Sequence, residues 1–395
     1  MQTVYSRPSP DLDYYKEGMV IPIKVSGTGM TQPKRLHLMG RWVVRKNVTT
    51  YGNTPSGDDI ERDDRIYFDP YVASTALFQN MTHTIYNFGQ VPEATDKALL
   101  QAFLGRAKNI RSEIGAGLRD SSKQMAPDHI NTTVRLIPQV TTPANAQKGD
   151  GTPFDIPVPS VIDMAFDSKG RPSGIPFNLF PVHEINATVP SVKKFLYGED
   201  VDSSVHVWFQ LVSFKYDVEA STGEVPFVRI YNQFTGLANS LKPTIQVNSN
   251  LVADSMFMGF IPANEVGTYT DNQYRMARLP DWQRASFTIN GGETFGYILN
   301  TEADLLYNAQ MAINGNTGNT SMNMEMLQRG DTTSDGFIIG AKFARAVDLK
   351  TSTAGVMLEC GTNGPNNTSK KYIARGFVGG FMQLAPRMKK TKAKK

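Results

Sequence analysis

Short runs of alternating apolar and polar residues, each cut off by turn-forming residues, recur along this 395-residue chain and constrain its fold more than any other feature. In "RLHLMGRWVVRKNV" (35–48), Leu36, Leu38, Gly40 and Trp42 alternate with His37, Met39 and Arg41, the period of two that a half-buried strand requires. "MVIPIKVS" precedes it as a second strand, and "ALFQNMTHTIYNFG" (76–89) reads as another, with Phe78, Met81, Ile85 and Phe88 as candidates for burial. The series continues through "NTTVRLIPQV", "TPFDIPVPSVIDMAF", "GIPFNLFPVHEINATV" and "SSVHVWFQLVSFKYDVE", then "VPFVRIYNQF", "SMFMGFIP", "DWQRASFTING", "DGFIIGAKF", "AGVMLECG" and "KKYIARGFVGGFMQLA". Turn residues at such intervals are the mark of a β-sandwich or barrel.

Helical patterning is sparse. Pro92 can open a helix in which Leu100, Phe103, Ala107, Ile110 and Ile114 recur at three or four residues, and Gly115 and Gly117 offer its stop. Its charges, Lys97, Arg106, Lys108, Arg111 and Glu113, mostly fall off that stripe, which predicts a surface helix packed on a sheet. "TEADLLYNAQMAI" predicts a second, short helix. The length exceeds the usual single domain, and "ASTGE" (220–224), small and polar between strands, is the best boundary. The expected division is a first unit over 1–222, a second over 223–386 and a basic tail over 387–395. Polar stretches at 49–70, 141–152 and 262–280 are expected to remain loops.

The sequence carries few chemical motifs. Five histidines, at 37, 83, 129, 183 and 206, stand apart from one another in no metal-binding spacing, and His37, His83 and His206 read as residues lining a strand face. There is no G-x-S-x-G and no phosphate-binding loop, and Cys360 has no recognisable nucleophile setting, so an enzyme is not expected. One cysteine also excludes an intramolecular disulfide. Asp58, Asp59, Glu61, Asp63 and Asp64 could wrap a calcium ion, but they lack the spacing of a known calcium loop and are interleaved with Arg62 and Arg65, so they read as a solvated loop. No cofactor and no metal is expected. The polar start of the chain and the absence of a run of about 18 apolar residues predict a soluble protein made in a cytosol.

Charge is distributed unevenly. No Asp or Glu follows Glu359, so residues 360–395 carry nine Lys or Arg, while the preceding 359 residues hold 32 basic and 37 acidic side chains. Six of the cations, Arg387, Lys389, Lys390, Lys392, Lys394 and Lys395, fall in the last nine positions. With a Debye length near 8 Å in a cell, roughly, cations so closely spaced act together on an anionic surface. The segment is too short and too poor in aromatics to recognise a sequence, so unspecific adhesion to phosphates is the expected role.

Taken in order, "QPKRLHLMGRWVVRKNV", "ALFQNMTHTIYNFG", "TPFDIPVPSVIDMAF", "SGIPFNLFPVHEINATV" and "SSVHVWFQLVSFKYDVE" resemble the first half of double jelly-roll major capsid proteins of the tectivirus and adenovirus lineage. "MARLPDWQRASFTINGGETFGYILNTEADLLYNAQM" is similar to part of the second half, where a strand and turn lead to another strand and a short helix. The resemblance implies a mostly β fold of two tandem jelly rolls, each an eight-stranded antiparallel sandwich, with a few short helices. It implies a non-enzymatic shell protein of an icosahedral virus or phage, whose homotrimers form pseudo-hexameric capsomers. Its partners would be itself and neighbouring capsomers, vertex or penton and minor capsid proteins, and, through 387–395, anionic lipid headgroups of an internal membrane or the genome. Its place would be the virion capsid, assembled in the host cytoplasm, or the nucleus of a eukaryotic host. Two other readings stand beside this one: a β-sandwich virion component that binds a receptor or glycan, and a single-jelly-roll capsid protein with a projection domain that coats nucleic acid directly.

Overall fold

The computed structural model describes residues 1–32, 35–61, 63–69, 71–91, 96–108, 134–135, 152–158, 164–221, 223–293, 299–314 and 336–386. The first part of the chain forms β1 (Gln2–Ser6), β2 (Tyr14–Tyr15), β3 (Val20–Ser26), β4 (Met30–Thr31), β5 (His37–Arg45), β6 (Tyr67–Phe68), β7 (Asn80–Ile85) and β8 (Gly89–Gln90), then helix α1 (Lys97–Lys108). After the helix come β9 (Val134–Arg135), β10 (Thr152–Pro157), β11 (Met164–Phe166), β12 (Pro172–Ser173), β13 (Ile175–Pro176), β14 (Val182–Thr188) and β15 (His206–Glu219). The second part forms β16 (Phe227–Ala238), β17 (Thr244–Val247), β18 (Val252–Pro262), β19 (Trp282–Ile289) and β20 (Gly292–Glu293), then helix α2 (Glu302–Asn314), β21 (Ile338–Asp348), β22 (Ala354–Cys360) and β23 (Tyr372–Gln383).

The alternation in the sequence decides which side chains meet. In β5, Leu38 and Trp42 point into a core shared with Ile21, Ile23, Val25 and Ile185 of the opposite sheet, while His37, Met39 and Arg41 take the outer face. Gly40 lies on the inner side, where an added Cβ would come within 2.9 Å of the Phe154 ring, so close passage of β10 requires glycine. β15 keeps Val207, Phe209, Val212, Phe214 and Tyr216 inward although their spacing breaks at Leu211. A β-bulge between Gln210 and Ser213, with Leu211 at φ 51°, absorbs the extra residue and restores the phase. β18 uses the same device between Ala253 and Ser255, which keeps Ala253, Met256, Met258 and Phe260 in the second core.

Both halves follow one plan. In the first, β10, β5, β15 and β1 lie side by side in one antiparallel sheet, and β3, β14, β7 and β8 form the other. In the second, β21, β18, β23 and β16 correspond to the first set, and β17, β22, β19 and β20 to the second. Eight strands therefore occur twice in the same order along the chain, with α1 and α2 each inserted between the fifth and sixth strands of their set, β8 and β10 in the first and β20 and β21 in the second. Interleaving of successive strands between two facing sheets is the jelly-roll arrangement. One apolar cluster fills the first sandwich and continues through α1 onto Tyr231, Phe257 and Phe377 of the second, another fills the interior of the second sandwich, and a third, including Ile85, Ala165, Phe180, Val228 and Leu251, also spans the two.

Several elements differ from expectation. Only Asn80–Ile85 of the stretch 76–89 is a full strand, because Ala73–Phe78 winds into a 3-10 helix. The carboxylate of Asp69 accepts the backbone N–H groups of Tyr71 and Val72 and starts that turn. Phe78, Met81 and Ile85 are buried all the same, and Phe88 is partly so. Lys108 ends the described part of α1; the rest of the helix expected from Pro92 to Gly115 lies outside the described residues. Of "NTTVRLIPQV" the described residues include only β9. β15 ends at Glu219 and β16 begins at Phe227, yet the hairpin β11–β12 reaches across and pairs with β16, extending the second sandwich's sheet.

Candidate functional site

Since the sequence offers surfaces rather than a reaction centre, the charged and apolar groups where the two sandwiches meet are the first candidates. α1 inserts Phe103 against Phe257 and Phe377, with ring centroids 5.3 and 5.9 Å apart, on the outer face of the sheet β21–β18–β23–β16. Asp96, the capping residue, accepts Leu99 N–H at 2.8 Å, and its own N–H donates to Gln233 Oε1 of β16 at 2.9 Å. Burial raises the pKa of Asp96, opposed by the Leu99 hydrogen bond and by the nearby charges of Lys194 and Arg375. Arg375 on β23 donates Nη1 to Gln273 O at 2.6 Å and Nη2 to Arg275 O at 2.9 Å.

The deepest ion pair lies in the same region. Asp69 takes Arg106 Nη2 at 2.7 Å and Asn272 Nδ2 at 2.8 Å besides its two backbone donors, so one carboxylate ties the 3-10 helix, α1 and the second sandwich together. The Arg106 guanidinium lies 4.8 Å from the Tyr71 ring centroid. Lys97 is also wholly buried, donating to Met81 O at 3.1 Å. This corrects the expectation that Lys97 and Arg106 sit off the helix's buried stripe on a solvated surface: α1 is enclosed, and its charges are tolerated because each meets buried oxygen acceptors.

The histidines occupy separate settings. His83 and His183, on neighbouring strands β7 and β14, face one another inside the first sandwich with ring centroids 5.7 Å apart. Burial lowers both pKa values, that of His183 to about 4, and for His83 the charges of His183 and Lys97 add to the effect. His206 stacks on Tyr51 at 3.9 Å, and His37 Nδ1 lies 2.8 Å from Asp155 on the outer face of the first sandwich. His129 falls outside the described residues. Among the described residues no three His, Cys, Asp or Glu side chains gather as a metal site. Cys360 is buried, and burial, with Asp281 and Glu359 nearby, pushes its thiol up to about 12, which makes it a poor nucleophile.

The acidic loop is more than a solvated run. Asp59 pairs with Arg45, Asp64 accepts Lys46 Nζ at 2.9 Å, and Asp58 accepts Asn47 Nδ2 at 2.8 Å, so its carboxylates clasp the end of β5. Arg387, Lys389, Lys390, Lys392, Lys394 and Lys395, the expected phosphate-contacting residues, lie outside the described residues. No described helix is long and apolar enough to cross a membrane. Asp69, Asp96 and Asn272 each accept a backbone N–H two or three residues on, but nothing local marks their contacts across the seam, or those of Arg375, because those partners come from distant parts of the chain.

No family model matches the sequence, and no curated protein matches it. Solved structures do. The Faustovirus major capsid protein superposes with a TM-score of 0.58 at 9% identity, over 98% of this chain and 90% of that one. A chain in the 3.5 Å cryo-EM structure of the Sputnik virophage gives 0.57 at 11% identity, over 98% and 87%. Similarity at this level, spanning both sandwiches, is a likeness of fold. The chain has the double jelly-roll fold of viral major capsid proteins.

Proposed function

We propose that this protein is the major capsid protein of an icosahedral virus, a structural protein that builds the shell by association with copies of itself. The observation that carries the reading is the doubling of one eight-stranded plan in a single chain, matched in fold across both sandwiches by the Faustovirus major capsid protein. Two similar bodies in one polypeptide let three chains present six similar bodies, and a homotrimer is accordingly the capsomer in this reading. Neighbouring capsomers and the proteins of the vertices are its further partners, and the virion capsid is its location.

The physical logic favours many modest contacts over a few strong ones. The loops and outer strand faces carry charged and polar side chains such as Lys215, Asp155 and Arg35, whose exposed pairs contribute little individually. A shell made of such contacts can dissociate and correct misplaced subunits while it grows. Residues 1–222 and 223–386 serve as the two shell-forming units in this reading, and 387–395 as an arm that adheres to anionic lipid headgroups or genome. Electron microscopy and light scattering of the purified chain test the proposal. Trimers and pseudo-hexagonal plates or closed particles are the expected outcome, whereas a monomer at every concentration and salt condition would end it.

A further inference from the structure

Both sandwiches hold α1. In its first turn Lys97 donates to the carbonyl of Met81, two residues before His83, while Phe103 lies against Phe257 and Phe377 of the second sandwich and Arg106 shares Asp69 with Asn272. Beside Lys97, His83 and His183 are 2% and 4% exposed. Among the described residues, neither ring nitrogen of His83, nor Nε2 of His183, has a hydrogen-bond partner in the protein. A proton added to either ring would be a buried charge and a donor with no acceptor. The groups that face the pair offer no compensation. His83 meets His183 and the Lys97 ammonium, and no carboxylate of the described residues acts on either ring. Asp96, ahead of α1, is engaged by Leu99 N–H. Glu184 and Lys24 take the alternate, outward positions of β14 and β3, and the 3-10 helix and β8 bring no charged side chain. From the opposite side come the Phe177 ring, 5.7 Å from that of His183, and Tyr216, whose hydroxyl donates to Ser26 O.

We propose that α1 is an acid-released clasp: protonation of His83 and His183 drives out Lys97 and frees the helix from both sandwiches, loosening the seam while each sandwich stays folded. The helix is what gives way because its backbone hydrogen bonds close within itself, so that its hold on both bodies is through side chains. β14 instead pairs with β3 on one side and β7 on the other, and cannot leave without breaking both ladders. Departure of Lys97 takes one of three charges out of the pocket and lets water reach the rings. It also withdraws Phe103 from the second sandwich and Arg106 from Asp69, whereas the pairing of β11 with β16 remains to join the two bodies. The device belongs to the single chain and holds whatever that chain assembles into. In a shell it gives each subunit a seam that acidification opens.

Hydrogen–deuterium exchange of the full chain at pH 7 and pH 5, corrected for intrinsic rates, tests the clasp. Protection over 97–108 should fall by about tenfold or more at the lower pH, while β15, β19, β22 and β23 keep theirs. His83→Leu and His183→Leu should each shrink that fall, and Lys97→Met, which removes the neighbouring charge, should shrink it too. Unchanged protection of 97–108, a loss shared equally by the sandwich strands, or a fall that persists undiminished in both leucine variants overturns the proposal. Should those variants not fold, NMR of labelled histidine in the parent decides. Both imidazoles must gain protons over the pH range in which α1 opens, and rings that stay neutral while it opens overturn the clasp as well.

Discussion

Arg106 and Asp69 are both nearly inaccessible to water, and each is the other's charged partner at 2.7 Å. Removing one would leave the other buried and uncompensated, so Asp69→Ala or Arg106→Met should lower the unfolding free energy by about 3–5 kcal/mol, read from urea unfolding followed by tryptophan fluorescence. A loss under about 1 kcal/mol would mean that water reaches the pair. The His83–His183 pair makes a second, pH-dependent prediction. Burial holds both imidazoles neutral, with His183 titrating at about 4, whereas histidine in an unfolded chain titrates near 6.5. Between those values the unfolded chain binds more protons, so stability present above pH 6.5 is lost as the pH falls, by up to about 1.4 kcal/mol per pH unit for each histidine. The buried charge of Lys97 works in the same direction. His83→Leu and His183→Leu should each flatten the fall of the urea midpoint between pH 7 and 5; slopes identical to the parent's would show that neither imidazole drives it. These two sites also mark what the sequence conceals: the strand position of His83 is legible from its alternation, but its facing partner lies a hundred residues on.

At the scale of elements, packing of α2 on β21 depends on small residues. A Cβ at Gly340 would come within 2.9 Å of Ala312 Cβ and 3.1 Å of Ala309 Cα, both on the helix. Gly340→Val should therefore force α2 away from the sheet and cost about 1–3 kcal/mol, visible as a lower urea midpoint with little change in slope. An unchanged midpoint would mean that the helix docks loosely. Strands such as β5 and β15 were legible because one of their faces is buried and the other is not, which writes period two into the residues. The 3-10 turn at 73–78 was not, since its start depends on the Asp69 side chain rather than on any apolar rhythm. Nor was the crossing of β11–β12 to the second sheet: strand pairing between distant segments leaves no periodic trace, and an edge strand satisfies its hydrogen bonds equally well in either sandwich. The enclosed state of α1 was hidden for a related reason, because a lysine and an arginine at its buried side read as solvent-facing until Met81 O and Asp69 are seen beside them.

For the whole molecule, the separation of charge makes a prediction that the fold alone does not. Through Glu359 the chain carries more acid than base, 37 against 32, so this body is repelled by phosphate surfaces, and attraction must come mainly from the cations that follow. Six of those stand in 387–395 with no carboxylate among them. If each contacts one phosphate of a duplex, binding should weaken with salt along a slope of about −5 on logarithmic axes, and on vesicles containing anionic lipid each contributes about 1 kcal/mol. A chain ending at Pro386 should then fold and assemble as the parent does but lose most of its retention on anionic vesicles or duplex DNA at physiological salt, measured by flotation and filter binding across a salt series. The two assays separate the sources: loss in flotation alone assigns the arm to a membrane, and loss in filter binding alone assigns it to the genome. Truncated protein that binds both as tightly as the parent, with the same slope, would place the adhesive charge on the sandwiches and remove the arm from the account.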